Sequence, residues 1–405
     1  MKKLLTIWTV CLIWSTQSFG LEPILIEAGD NVYEHLQEAL IEVEPGQTIQ
    51  LGMGRFELAD SLSLDVENVT VQGMGMFRTT LSFKGQQAGS EGLLVTSDNV
   101  TLQNFAVEDT KGDGIKVKGV DGIKMINLRV EWTRGPHQDN GAYGLYPVES
   151  TNVLVDGSIV MGCSDAGIYV GQSKHIVVRN SRVEDNVAGI EIENSYYADV
   201  YDNVAVHNTA GILVFDLPNI PQQGGHDIRV FRNRSERNDT PNFAKPGNTV
   251  ANVPVGIGLL VMANHNVEVF DNDFRDNQTT NIAITTYSQK FDDANYYPYP
   301  EGVHIHHNRL GRAGWNPDMK QSADMVAAAG GKTLPSIVWD GIVNEKYANQ
   351  EIPPEKRIYI HDNEGEVSFL NAALAATAGQ DKGRDLSAHA GQPPMTIKPV
   401  KLSMK

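Results

Sequence analysis

Asp165-Ala-Gly-Ile-Tyr-Val170, Val187-Ala-Gly-Ile-Glu-Ile192 and Thr209-Ala-Gly-Ile-Leu-Val214 are three statements of one phrase. Looser versions stand at Gly112-Asp-Gly-Ile-Lys-Val117, Ala142-Tyr-Gly-Leu-Tyr-Pro-Val148 and Pro254-Val-Gly-Ile-Gly-Leu259. The Gly-Ile or Gly-Leu step begins at 114, 144, 167, 189, 211 and 256, so the central spacings are 23, 22 and 22 residues. Self-similarity at such a period marks a unit that buries its apolar face only by stacking on its neighbours. Within the phrase polar and aliphatic residues alternate, so that Ile190 and Ile192 share one face and Glu191 and Glu193 the other. That is the periodicity of a strand.

A second strand recurs in each unit, at Asn99–Leu102, His175–Val178, Asp199–Tyr201, Asp227–Val230 and Asn266–Val269, and tends to close on an asparagine: Asn104, Asn127, Asn180, Asn203, Asn233, Asn272 or Asn308. Two or three short strands per unit, with no helix-length apolar pattern, describe one coil of a β-solenoid whose strands pair with the coils above and below. Stacked asparagines then bond to one another and to turn backbone. Residues Asn31–Val43 differ: Val32, Leu36, Ala39, Leu40 and Val43 fall at helical spacing behind Asp30 or Asn31 as cap, which predicts a short amphipathic helix closing the apolar end of the solenoid. The expected organisation is a leader at 1–20, an N-terminal cap and first coil at 21–60, an all-β parallel β-helix of about ten coils at 61–371, and a polar, loose tail at 372–405.

Met1-Lys2-Lys3, an apolar run from Leu4 to Trp14, and small residues flanking a cut after Gly20 read as a secretory signal peptide. Such a run is too short to span a bilayer, and no lipobox precedes Cys11. The expected location is therefore exported, periplasmic or extracellular, without membrane insertion. Loss of Cys11 leaves Cys163 as the one thiol, a small buried residue with no partner for an intrachain disulfide. Removal of Lys2 and Lys3 takes the formal charge from −17 to −19, which argues against nucleic acid or an anionic membrane as partner. Calcium (Ca2+) is the cofactor that so acidic an exported chain could accommodate, although it carries no EF-hand or RTX-type repeat. Oligomeric state is left open.

The runs GAYGLYPV, SDAGIYVGQS, AGIEIENS and GILVFDLP between Gly141 and Pro218 resemble those of exported bacterial proteins of the pectin-lyase-like superfamily, a group that includes pectate lyases, polygalacturonases and alginate epimerases. The resemblance extends over roughly residues 25–370. It implies a right-handed parallel β-helix and, more distantly, chemistry on an acidic polysaccharide.

Interruptions of the repeat point to the working region. The connection before Gly144 swells into Trp132–Tyr143 and that before Gly256 into Asp239–Val253, while Leu217–Gly225 and Ser288–Pro300 lengthen the chain beyond the same strand. Insertions on both edges of one strand predict a trench over the Gly-Ile face. With the aliphatic side inward, its floor reads Lys116, Tyr146, Tyr169, Glu191, Leu213, Gly258 and Ala283, then Lys118, Val148, Gly171, Glu193, Phe215, Leu260 and Thr285. Successive members stand about 4.8 Å apart. Aromatic faces and charges so arranged fit an extended sugar chain, with Lys116, Lys118, Asp139, Tyr143, Glu191, Glu193 and Phe215 as binding residues.

The chemical candidates are Arg134, His137, Tyr146, Tyr169 and Asp165. Lyases and epimerases of uronates neutralise the sugar carboxylate, remove the C5 proton and return a proton; Arg134 is the neutralising group, His137 the base or acid and Tyr146 or Tyr169 its partner. Pro136-His137 resembles part of the Asp-Pro-His motif of alginate epimerases, and Asp165 follows one coil later, where those enzymes place an acidic residue. Gly135 replaces the motif's aspartate, and the Tyr-Gly pair follows the histidine instead of preceding it. Glu191, Glu193 and Asp216 alternatively serve hydrolytic acid–base work or calcium. His304 and His306 alternate outward beside His307, a spacing open to a transition metal, but no acidic or sulfur residue adjoins them and no metal ligand is assigned. Tyr296, Tyr297 and Tyr299 form either a sugar-stacking wall or a cover on the flank. Two classes of function stay open: a lyase- or epimerase-like enzyme on an acidic polysaccharide, or a non-catalytic β-helix that binds glycan or a protein partner.

Overall fold

The computed structural model describes residues 21–318, 322–331, 333–347, 350–394 and 396–404. The expected leader at 1–20 lies outside the described residues. Each coil contributes one strand to each of three sheets, of twelve, eleven and eleven strands, in which every pairing is parallel and every neighbour is the next coil. The Gly-Ile sheet runs from Leu62–Leu64 to Phe369–Asn371 and contains Asp113–Lys118, Tyr143–Val148, Ala166–Gly171, Ala188–Glu193, Ala210–Phe215, Ile257–Met262 and Thr280–Thr285. A second sheet runs from Ile24–Ile26 to Tyr359–His361, and a third from Gly54–Glu57 to Glu364–Gly365.

The inward column of the Gly-Ile sheet, Ile115, Leu145, Ile168, Ile190, Ile212, Leu259, Ile282 and Ile337, is fully buried. The preceding glycines are steric necessities. A Cβ at Gly189 would stand 2.4 Å from the Gly211 carbonyl oxygen and 2.8 Å from the Val183 side chain. The register also corrects the repeat after the long insertion: Ile212 pairs with Leu259 and Gly211 lies under Gly258, so the true step is Gly258-Leu259 and not Gly256-Ile257. Gly258 therefore leaves the predicted floor, and Leu260 and Met262 take the positions above Leu213 and Phe215.

The asparagines divide into two columns that one-dimensional reading merges. Asn104, Asn127 and Asn180 are turn residues with left-handed backbone, φ 61, 51 and 52°, a conformation asparagine tolerates better than other side chains. Asn203, Asn233, Asn272 and Asn308 form an internal ladder, each side-chain oxygen accepting the backbone N–H of the asparagine one coil earlier at 2.9–3.1 Å, with Ser181 heading the series. A parallel ladder, Asn186, Asn208, Asn238 and Asn277, was not anticipated.

Helix Val32–Glu42 closes the N-terminal end through Val32, Leu36, Ala39 and Leu40; Asn31 at its start is left-handed and makes no side-chain cap bond. The C-terminal residues are built in, not loose. Ala372–Ala378 and Gln380–Gly383 are helical, and the segment beyond runs back along the second sheet, where Val400 N–H donates to Asp199 and Ser403 N–H to Asn152.

Candidate functional site

On the outer face of the Gly-Ile sheet, register aligns Lys116, Tyr146, Tyr169, Glu191, Leu213, Leu260 and Ala283 in one column, and Lys118, Val148, Gly171, Glu193, Phe215, Met262 and Thr285 in the next. The expected row of side chains is present, but it is not an open trench. Tyr169, Glu191, Glu193, Leu213 and Phe215 are buried, Glu191 to 3% exposure. The insertion before Gly256 lies down on this floor, with Phe243, Ala244, Val250 and Val253 joining one apolar cluster with Tyr169, Leu213 and Phe215. Lys116, Tyr143 and Tyr146 stay half-buried and Lys118 exposed, at the edge that remains accessible.

Tyr143, Tyr146 and Tyr169 form a three-ring cluster with centroids 4.5, 4.6 and 5.0 Å apart. Lys116 Nζ stands 5.0 Å over the Tyr146 ring. Tyr169 lies flat across Gly171, where a Cβ would fall 2.2 Å from the phenol oxygen; the missing side chain is what lets this hydroxyl turn toward Glu193. Tyr143 likewise approaches Asp165.

Asp165, Glu191 and Glu193 face one another with no cationic partner among the described residues, since every ion pair there lies elsewhere. Burial disfavours their charged forms, and each adds to the others' potential. Burial, then Glu193, pushes Asp165 up to about 7. Burial, with Asp216 behind it, raises Glu193 to about 7, and burial with Asp165 raises Glu191 well above the carboxylate range. Two further acids extend the group. Burial lifts Asp113 to about 6 although Lys116 pulls the other way. It also lifts Asp216 to about 6 although the Gly225 N–H (2.7 Å) and the Asn264 amide (3.0 Å) bond its carboxylate. Burial raises the Tyr143 and Tyr169 phenols strongly and takes Tyr146 to about 12. Carboxyls that exchange protons near neutrality, beside phenols, have the makings of general acids and bases. Among the described residues, no trio of these carboxylate oxygens comes close enough to share one ion.

Arg134, His137 and Asp139 occupy the insertion before Gly144, and the side-chain bonds of Arg134 and His137 close within it. Arg134 Nε donates to Asn140 Oδ1, Asn140 donates to the Gly135 and Gly162 carbonyls, and the Asp139 N–H donates to His137 Nδ1 at 3.1 Å. The His137 side chain is 48% exposed. Tyr296 is buried with its hydroxyl on the Asp216 carbonyl (2.7 Å), and Tyr297 bonds Glu301, so both cover the flank. Asp113 escaped sequence reading, yet its place in the phrase, level with Tyr143 and Ala166, marks it as belonging to the same face. A separate cavity of about 230 Å³ near the last coils is lined by Trp339, Val343, Tyr347, Ile352 and His389; its ionic groups are already partnered, Lys356 with Glu301 and His389 with the Ile358 carbonyl.

The model of a family described as a right handed beta helix region matches residues 58–223. The chain is a right-handed parallel β-helix. Several solved β-helical structures are similar to it. It aligns with the A-module of a mannuronan C-5 epimerase from Azotobacter vinelandii at 15% identity and TM-score 0.49, over 84% of this chain and 93% of that one. A polygalacturonase from Erwinia carotovora aligns at 12% and 0.42, over 74% and 95%, and an alginate lyase from a Paenibacillus species at 14% and 0.34, over 85% and 98%. No curated protein sequence matches the chain. Among the described residues no helix of this β-helix is long and apolar enough to cross a membrane.

Proposed function

We propose that this β-helix is an exported carbohydrate-active protein that works on a polysaccharide by carboxylate acid–base chemistry at the Gly-Ile face. The observation that carries the reading is the set of three mutually facing, cation-free acids, Asp165, Glu191 and Glu193, next to Tyr143, Tyr146 and Tyr169. A buried carboxyl that holds its proton near neutrality can deliver it to a glycosidic oxygen, while an ionised neighbour activates water or stabilises the sugar cation. Tyr143 and Tyr146, half-buried at the accessible edge, receive the sugar by stacking. Among the described residues no cation stands beside Asp165, Glu191 or Glu193 to neutralise a uronate carboxylate, which favours a neutral or sparsely charged glycan and glycosidic cleavage over β-elimination or C5 epimerisation. The lyase or epimerase version would rest on Arg134 and His137, whose bonds are spent inside their own loop.

One observation favours a second reading, a non-catalytic β-helix that binds glycan or a partner protein: the Asp239–Val253 insertion packs on the floor and leaves Glu191 and Glu193 covered. An enzyme must move this insertion to admit substrate; a binding scaffold need not. The test is product formation from a panel of neutral and acidic polysaccharides, followed by reducing-end release, by the ultraviolet absorbance of unsaturated uronate, and by NMR of uronate composition. Glu193→Gln and Asp165→Asn should each lower kcat by about 10²- to 10⁴-fold, the range of a lost proton donor or acceptor, with His137→Ala unaffected. Activity abolished by His137→Ala and indifferent to the carboxamide variants would hand the site to the lyase or epimerase version. Glycan binding without turnover would establish the scaffold.

A further inference from the structure

Away from the Gly-Ile face, the outer surface of the second sheet carries an aromatic ladder. Tyr201, Phe231, Phe270, His306 and His361 stack coil on coil at centroid spacings of 4.8, 4.8, 5.3 and 5.7 Å with nearly parallel rings. At its end the ladder changes from hydrocarbon to imidazole, and there Glu268 and His304 come in from the adjacent column. Glu268, His304 and His306 each present one donor atom within 4.8 Å of the other two. Glu268 Oε1 stands 3.2 Å from His306 Nε2 and 3.9 Å from His304 Nδ1. A tetrahedral ion with metal–ligand bonds of about 2.0–2.1 Å holds its donors about 3.4 Å apart.

We propose that Glu268, His304 and His306 bind a divalent transition-metal ion of borderline softness, of which Zn2+ is the representative. The hydrogen bonds around the trio support this, because they orient both ligating rings. Asp362 accepts from His361 Nδ1 at 2.8 Å, which leaves His361 Nε2 as an acceptor. Its partner at 2.7 Å, His304 Nε2, must then carry the proton, and the bare Nδ1 lone pair of His304 is turned toward the Glu268 carboxylate. A lone pair facing a carboxylate is repulsive, and a cation between them reverses the sign. His306 is held by its neighbours too: Nδ1 lies 2.8 Å from His307 Nδ1 and Nε2 faces Glu268 Oε1 at 3.2 Å, the position from which it exchanges a proton for a metal ion. The His361–Asp362 pair behind His304 ends on a carboxylate, and outer partners of this kind fix the tautomer of metal-binding histidines and raise their basicity. Arg229 engages the other Glu268 oxygen at 3.7 Å and so holds the carboxylate in place. Two imidazoles and one carboxylate suit Zn2+, Ni2+ or Cu2+ and not Mg2+ or Ca2+, which prefer oxygen. A cavity of about 100 Å³ adjoins Glu268 and His304 and is lined also by Pro394 and Ile397 of the C-terminal segment, which leaves room for a water or small anion as fourth ligand.

The test uses the full mature chain without a polyhistidine tag, stripped with chelator and titrated with Zn2+ by calorimetry and with Co2+ by visible absorption. One equivalent of metal should bind, with Co2+ bands of a four- or five-coordinate nitrogen and oxygen site. His304→Ala and His306→Ala should each abolish saturable binding. His361→Ala, one bond removed, should weaken it by about 10- to 100-fold, and His175→Ala, whose ring stacks on Tyr197 on the same sheet, should leave it unchanged. Circular dichroism confirms that each variant is folded, and His306→Gln, which keeps a polar side chain at this largely buried position, replaces any variant that is not. Absence of saturable binding by the parent chain overturns the proposal, as does binding that is unchanged by loss of either His304 or His306.

Discussion

Replacing Asp165 by asparagine should stabilise this protein at alkaline pH and change it little at acid pH. The buried carboxyl of Asp165 has its folded-state value raised from 3.8 to about 7, first by burial and then by Glu193. The folded chain therefore holds the proton more tightly than the unfolded chain. Between the two values the folded state carries one more proton, and stability falls as pH rises, by about 1.36 kcal/mol per pH unit for one group. Across the interval from 3.8 to about 7 the loss amounts to about 4 kcal/mol, complete once pH exceeds the folded value. A carboxamide in its place has no proton to lose. The advantage of D165N over the parent should thus be near zero only below the unfolded value of 3.8, stand at about 1–2 kcal/mol at pH 5 and reach about 4 kcal/mol at pH 8, so that it grows by about 2–3 kcal/mol between pH 5 and pH 8, on the order of a few degrees in Tm for a chain of this size. Thermal and urea unfolding at both pH values, followed by circular dichroism, read the effect directly. A parent whose stability is flat or rising from pH 5 to pH 8, or a variant whose advantage does not depend on pH, would refute the idea that these acids are held protonated. The same substitution should remove activity, which separates a strained functional group from a structural one.

Asn233→Ala removes the acceptor of the Asn203 N–H and the donor to the Val200 carbonyl, and should cost about 2–5 kcal/mol in urea unfolding, more than Asn180→Ala at an exposed turn. Gly171→Ala places a methyl where the Tyr169 phenol lies; it should cost about 1–3 kcal/mol as an overpacked site and depress turnover at least tenfold on any substrate the parent processes. Truncation after Pro394 should raise hydrogen exchange near Asn152 and Asp199, the two side chains that hold the returning segment, and leave exchange in the first coils untouched.

Sequence alone carried the solenoid because its cause is local. A Gly-Ile step every coil leaves no room for a side chain at Gly189 and a fixed place for Ile190, and both are visible in a string of letters. It failed where two columns share a residue type: Asn180 and Asn203 look alike in sequence, but one supplies a left-handed turn and the other an internal ladder. The shift at Gly256 had the same origin, an insertion ending in a glycine that imitates the phrase. For the candidate site, alternation placed Tyr146, Tyr169, Glu191 and Glu193 on one face. It could not show that Phe243 and Val250 return to cover that face, nor that Arg134 and His137 spend their bonds within their own loop, since long-range packing of an irregular insertion has no period to read. The metal candidate was half legible for a related reason. His304 and His306 are neighbours in sequence, whereas Glu268 and His361 become their neighbours only through coil stacking.

In a stack of coils each layer answers only to the layers beside it, so a breach at one point need not be felt at another. The bond between Ser403 and Asn152 joins residues 251 positions apart, and with Val400 on Asp199 it lays a brace across several layers at once. Fraying of a middle coil then requires release of the brace, and release of the brace exposes more than one coil. A chain whose repeats would otherwise unzip from either end acquires in this way a shared unfolding threshold along the braced stretch. The brace is also made after every coil it spans, so its docking can complete only when the layers beneath it have already been stacked in register.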